Sequence, residues 1–176
     1  LNGTDIPVLV KNPVNPDLEL WKGAIERISA AGISKIAAIH RGFSTFGKTN
    51  YRKLPTWQIP IDLKTDIPGL PMICDPSHIG GKREYLFEIA QKAMDLNYDG
   101  LIIESHIDPS CALSDAQQQL SPDALHELLN ALILRYPNGQ SKETLMELTN
   151  YRRQIDELDK TLMDILADSM EVVKKK

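Results

Sequence analysis

Four side chains able to hold an ion or a charged substrate stand at or just past the end of an apolar run. They are Lys11 after Val8-Leu9-Val10, Arg41 after Ile39-His40, His78 in Asp75-Pro76-Ser77-His78, and Glu104 after Ile102-Ile103. A fifth, Asp115, lies in the loop Leu113-Ser114-Asp115-Ala116-Gln117-Gln118-Gln119. One imidazole and two carboxylates (His78, Glu104, Asp115) form a donor set for a divalent metal. The mixture of nitrogen and oxygen suits Mn, Fe, Co or Zn better than Ca, which prefers oxygen alone. The alternative for Glu104 and Asp115 is pairing with Lys82 or Arg83, or exposure to water. Lys11 and Arg41 combine a compact charge with a planar fork, which suits clamping a phosphate or carboxylate; the alternative is that each neutralises a nearby acid. His40 and His106 flank these positions and read as ordinary polar or core histidines, and Cys74 reads as core.

The elements that must carry these residues are short apolar runs at Pro7 to Val10, Lys35 to Ile39, Leu70 to Cys74 and Gly100 to Ile103, without inside/outside alternation. Such runs suit strands of a covered parallel sheet. Their starts lie about 28, 35 and 30 residues apart, close to the ~31 per βα unit of a (β/α)8 barrel. In that architecture chemistry gathers past the carboxyl ends of the strands, where the candidates fall. The fold class expected is therefore α/β of the (β/α)8 TIM-barrel type, represented by four βα units.

Asn15 with Pro16 predicts a helix start, and Leu18, Trp21, Ile25 and Ile28 continue it to Gly32. Lys82 to Leu96 and a segment opened by Ser121-Pro122 read as further crossover helices. Between Phe43 and Pro71, four prolines leave room for a loop and a short helix near Ile61 to Ile67. Pro137-Asn138-Gly139 breaks the chain, giving expected domains at 1–137 and 141–176. The second carries Leu148, Tyr151, Ile155, Leu158, Leu162, Ile165, Ser169 and Val172 at alternating spacings of three and four, the seam of a long helix that packs on another helix.

Net charge of −4 over 176 residues argues against a nucleic-acid footprint. No apolar run approaches a membrane span and no signal peptide opens the sequence, so a cytoplasmic protein with small-molecule chemistry and no membrane partner is expected. Two cysteines, one in a strand, predict no structural disulfide.

The runs Val8 to Asn12, Ile39-His40-Arg41-Gly42, Asp75-Pro76-Ser77-His78, Ile103-Glu104-Ser105-His106 and Leu113 to Leu120 resemble 3-deoxy-D-arabino-heptulosonate 7-phosphate (DAHP) synthase of the type I beta group, over roughly residues 5 to 135. That resemblance implies a metal-dependent condensation of phosphoenolpyruvate with erythrose 4-phosphate, the first step of the shikimate pathway. It implies Lys11 and Arg41 as phosphoenolpyruvate clamps, with catalytic roles shared by His78, and His78, Glu104 and Asp115 as metal ligands. The family barrel has four further βα units, with a Cys ligand and a Lys-Pro-Arg-Thr segment, before this point. The present units would then be its C-terminal four, and exposed sheet edges predict a homo-oligomer. A related eight-carbon phosphosugar synthase shares barrel and phosphoenolpyruvate, and a non-catalytic interaction fragment is the alternative from another class.

Leu148 to Val173, with Tyr151-Arg152-Arg153-Gln154-Ile155, resembles the first helix of an all-helical chorismate mutase. This implies Arg152 as a chorismate carboxylate contact, while the family's second Arg falls at Ser169.

Overall fold

The computed structural model describes residues 4–44, 49–134, 151, 153–155, 157–163 and 165–166. The chain divides into two compact units, 1–135 and 136–176.

In the first unit four strands, β1 (Val8–Lys11), β2 (Ile36–His40), β3 (Met72–Cys74) and β4 (Gly100–Leu101), form one parallel sheet in the order β1-β2-β3-β4. Register aligns Val10 with Ala38 and Met72, and His40 with Cys74 and Leu101, so these side chains share one face. The helices cover that face. They are α1 (Leu18–Ala30), α2 (Gln58–Asp66), α3 (Pro76–Gly80), α4 (Leu86–Asp95) and α5 (Pro122–Ala131). Trp21, Ile25, Leu63, Ile89 and Ala93 join Val10, Ala38, Met72 and Cys74 in one core, while Leu128 of α5 packs with Leu86 and Ala90 of α4. Sequential strand order with helices on a single face is the arrangement of (β/α)8 barrel units; a doubly wound sheet reverses its strand order and covers both faces. Leu9 of β1, 49% exposed, lies on the opposite face, aligned with Ala37.

Trp21 anchors α1 to the sheet: its ring is fully buried and its indole N–H donates to the Val10 carbonyl at 3.2 Å. Burial of the ring supplies the apolar contact, and the hydrogen bond meets its one donor.

Several boundaries differ from the sequence reading. Asp17, not Asn15, caps α1, accepting from Leu20 N–H at 2.9 Å. The carboxylate stands three residues before the donor it serves, whereas Asn15 lies two residues too early. Helix α2 begins at Gln58 because Pro60 falls in its first turn, where a missing N–H costs nothing. The expected loop after β3 is the helix α3, with Asp75 as cap, Pro76 at its first position and left-handed Gly81 at its end.

Described residues of the second unit between 151 and 166 are helical, with Tyr151, Ile155, Leu158, Leu162 and Ile165 exposed. The expected breaker near 138, the seam positions Leu148, Ser169 and Val172, and Arg152 lie outside the described residues. Among the described residues no helix is long and apolar enough to cross a membrane.

Candidate functional site

Beyond the carboxyl end of β3, Asp75 controls His78 twice. Its Oδ1 accepts the His78 backbone N–H at 3.0 Å, capping α3, and its Oδ2 lies 2.8 Å from the ring Nδ1. The ring contact is close but not aligned as a hydrogen bond, since buried Nδ1 has no partner in bonding geometry. It sets the Asp75 carboxylate against one ring nitrogen and leaves Nε2 turned toward Glu104, 3.7 Å from Oε1. Asp75 is almost fully buried, so the contact is shielded from water.

Glu104 is positioned by the strand end it follows. Fully buried Ser77 accepts the Glu104 N–H on its hydroxyl at 3.0 Å, and the Glu104 carbonyl accepts Leu120 N–H at 3.1 Å. The second contact closes the loop that carries Asp115. Arg83 fastens the same loop, donating from Nε to the Gln119 carbonyl and from Nη2 to the Ala116 carbonyl, each at 2.6 Å. Arg83 therefore holds the Asp115 loop by its backbone and is not the carboxylate's partner; Lys82 pairs with Glu84 at 3.6 Å. The cation beside Asp115 is Arg52, whose Nη1 lies 2.8 Å from Oδ1.

Residues 52 to 54 enter the site along α3. Arg52 and Lys53 donate their backbone N–H to the Gly80 and Ile79 carbonyls, and Leu54 bridges to Phe43. Two glycines permit this approach. Gly42 has φ +73°, and a Cβ there would meet Lys53 Cβ at 2.9 Å; Gly81 has φ +70°, and its Cβ would meet Arg52 Cβ at 2.6 Å. A cleft of about 440 Å³ opens here, lined among others by Asn50, Arg52, Gly81, Lys82, Asp115 and Gln118.

On the β1 and β2 side, buried Asn12 accepts Arg41 N–H on its Oδ1 at 2.6 Å and donates to the Gly42 carbonyl at 2.9 Å. It locks the backbone that presents Lys11 and Arg41. Lys53 shares their electrostatic neighbourhood. Burial, then Arg41, Arg52 and Lys11, hold its ammonium below the usual lysine range, with Asp75 opposing. Like charges near one another disfavour the charged form of each.

His40 is a core residue. It is fully buried, with Nε2 2.6 Å from the Pro55 carbonyl, so Nε2 carries the proton and Nδ1 accepts from the Tyr98 hydroxyl at 3.0 Å. Burial lowers its pKa to about 4. His106 accepts Asp108 N–H on its ring, and Cys74 is fully buried with its thiol pKa pushed up by burial. Both cysteines are free thiols.

The structure thus draws His78, Glu104 and Asp115 together, with one donor atom of each within 4.8 Å of the others. Ligands at about 2.0–2.2 Å from one ion fall within such a spread, and one imidazole nitrogen with two carboxylate oxygens suits a transition-type divalent ion. The donor set fits a metal. Lys11 and Arg41 lie in the adjoining cationic neighbourhood. Sequence reasoning missed Arg52, Lys53, Asn12 and Gln118, and gave Asp75 no role. The Tyr51-Arg52-Lys53 run sits in a proline-rich stretch with no periodicity, so only its two cations could have signalled it.

Comparison with known proteins agrees with the geometry. The model of the DAHP synthetase I family matches residues 1–134. Phospho-2-dehydro-3-deoxyheptonate aldolase of Thermotoga maritima is 33% identical over 126 residues, 72% of this chain and 37% of that protein. A 2-dehydro-3-deoxyphosphooctonate aldolase of Nitratidesulfovibrio vulgaris is 32% identical over 124 residues, 62% of this chain and 42% of that protein. The crystal structure of the Thermotoga maritima enzyme superposes with a TM-score of 0.67 at 31% identity, covering 72% of this chain and 36% of that one. The chain spans well under half the length of the curated relatives it matches. With a family match across the whole first unit, and with catalytic-type side chains gathered past the strand ends of barrel units, the chain belongs to the DAHP synthetase I family.

Proposed function

We propose that this chain is the C-terminal four βα units of a metal-dependent DAHP synthase, condensing phosphoenolpyruvate with erythrose 4-phosphate at the entry to the shikimate pathway. The observation that carries this is the convergence of His78, Glu104 and Asp115 donor atoms within 4.8 Å beside the cations Lys11, Arg41 and Lys53.

His78, Glu104 and Asp115 would hold the divalent ion, of Mn, Fe, Co or Zn type, which when bound supplies Lewis-acid polarisation of the sugar aldehyde. Asp75 keeps the His78 ring oriented. Lys11, Arg41 and Lys53 bind the phosphate and carboxylate of phosphoenolpyruvate, offsetting their charge while C3 forms the new bond to the aldehyde carbon. Water adds at C2 of the former phosphoenolpyruvate and inorganic phosphate leaves. Asn12 fixes the backbone that aims Arg41.

Similarity to 2-dehydro-3-deoxyphosphooctonate aldolases favours a second reading, in which the sugar substrate is arabinose 5-phosphate. The Ser114 to Gln119 run supports the seven-carbon product. Residues 141–176 are proposed as the first helix of a chorismate mutase region with Arg152 contacting chorismate; helical residues between 151 and 166 support this. The protein is proposed to be cytoplasmic and to act as a homo-oligomer.

The test is phosphoenolpyruvate consumption with erythrose 4-phosphate or arabinose 5-phosphate, with Mn²⁺ and after chelation, for the chain alone and with the four missing units supplied in trans. Metal-dependent turnover with erythrose 4-phosphate in either arrangement supports the reading. Turnover only with arabinose 5-phosphate favours the second, and silence throughout leaves an interaction fragment.

A further inference from the structure

Gln118 is an amide with 1% of its surface exposed in a loop whose neighbouring residues Gln117 and Asp115 are exposed. A buried primary amide needs partners for donors and acceptor alike. Here the partners are the candidate metal site itself. Gln118 Nε2 donates to Glu104 Oε2 at 2.8 Å, and Gln118 Oε1 accepts from Arg52 Nη1 at 2.9 Å. The amide orientation is unambiguous, because guanidinium only donates and carboxylate only accepts. The same Arg52 nitrogen donates to Asp115 Oδ1 at 2.8 Å. One continuous chain therefore runs Glu104, Gln118, Arg52, Asp115, occupying one oxygen of each carboxylate.

The consequence is geometric. With Oε2 of Glu104 tied to Gln118, Oε1 is the oxygen turned to His78 Nε2, at 3.7 Å. With Oδ1 of Asp115 tied to Arg52, Oδ2 has no hydrogen-bond partner among the described residues. The third donor, His78, is held by Asp75. Each of the three thus has its own partner, and two of those partners bind each other. Gly81 permits the close approach of Arg52, since a Cβ there would meet Arg52 Cβ at 2.6 Å.

We propose that Gln118 and Arg52 form a positioning pair that presents one oxygen of Glu104 and one of Asp115 to a divalent cation. The proposal rests on the metal reading above. Outer partners of metal ligands commonly change affinity by about 10–100-fold when removed, and the buried amide of Gln118 is the central member of the link between the two carboxylates.

The test is Mn²⁺ titration of the 176-residue chain, following free Mn²⁺ by electron paramagnetic resonance, with circular dichroism as the fold check. Gln118→Met keeps the volume and removes both polar ends. Expected is at least about 10-fold weaker binding in a folded variant, together with a changed visible spectrum of bound Co²⁺, which a merely structural role for the amide would leave alone. Unchanged affinity and spectrum in a folded Gln118→Met overturn the pairing while sparing the metal reading. Absence of Mn²⁺ binding by the unaltered chain overturns both. If Gln118→Met does not fold, Gln118→Asn replaces it: its amide is too short to span Glu104 and Arg52, so wild-type affinity there is equally fatal.

Discussion

Asp75 and His78 are joined at two points, Oδ1 to the backbone N–H at 3.0 Å and Oδ2 to the ring Nδ1 at 2.8 Å, so one buried carboxylate both starts a helix and aims an imidazole. The cap fixes where α3 begins, and the ring contact fixes which nitrogen faces Glu104. Structure and site are written in the same two residues.

Asp75→Asn separates the two roles, because Asn caps helices as well as Asp while lacking the charge beside Nδ1. Thermal stability is expected to fall by no more than about 1 kcal/mol from the cap, and Mn²⁺ affinity to weaken by about 10–100-fold. Titration calorimetry alongside a melt reads both. Undiminished affinity would remove Asp75 from the metal reading.

Stability should depend on pH through His40. The unfolded chain takes up a proton near the ordinary value of 6.5, whereas the folded chain resists until about pH 4. Between those values the unfolded state binds more protons, so stability is full above about pH 6.5 and falls as pH drops toward 4, by about 3 kcal/mol in total. Urea unfolding at a series of pH values measures the slope, and His40→Gln should flatten it over this window. An equal slope in the variant would assign the effect to other groups.

Gly81→Ala places a Cβ 2.6 Å from Arg52 Cβ on a backbone at φ +70°. A cost of about 1–3 kcal/mol is expected from strain and displacement, with weaker Mn²⁺ binding because Arg52 is pushed away. Gly69→Ala serves as the comparison: it shares a positive φ of +85° but meets nothing within 4 Å. Both are expected to lose stability in chemical denaturation, and only Gly81→Ala should lose metal.

The sheet face opposite the helices carries Leu9, 49% exposed, and β1 and β4 are unpaired on their outer sides within the described sheet. Exposed strand edges and apolar faces drive association. Sedimentation velocity is expected to show concentration-dependent self-association of the chain, reduced by Leu9→Lys. A monodisperse monomer at all concentrations would contradict the proposed oligomer.

Much of the fold was legible because strands buried in a parallel sheet need continuous apolar runs, and their ~30-residue spacing reflects the length of a βα unit. Local signals also located α4 and α5, the latter through the cap Ser121 and Pro122 at the first helical position. Where the sequence reading slipped, two local signals competed: Asn15 and Asp17 both offer caps, and Asp75-Pro76 reads equally as a loop or as a helix start. Of the site, Lys11, Arg41, His78, Glu104 and Asp115 could be picked out because each chemistry-bearing type stood at a strand end or in the loop after one.

Local periodicity and short contiguous motifs made the element rhythm, the family and five candidate side chains readable from the sequence alone. Tertiary structure alone decided the partners. Arg52 reaches Asp115 across 63 residues, Gln118 joins Arg52 across 66, and Ser77 holds Glu104 across 27. Such pairings arise only when parallel strands bring distant loops to the same end of a sheet. The physical reason is that a side chain's partner is set by proximity in the folded chain, and proximity there is a property of the packed sheet and not of any stretch of sequence.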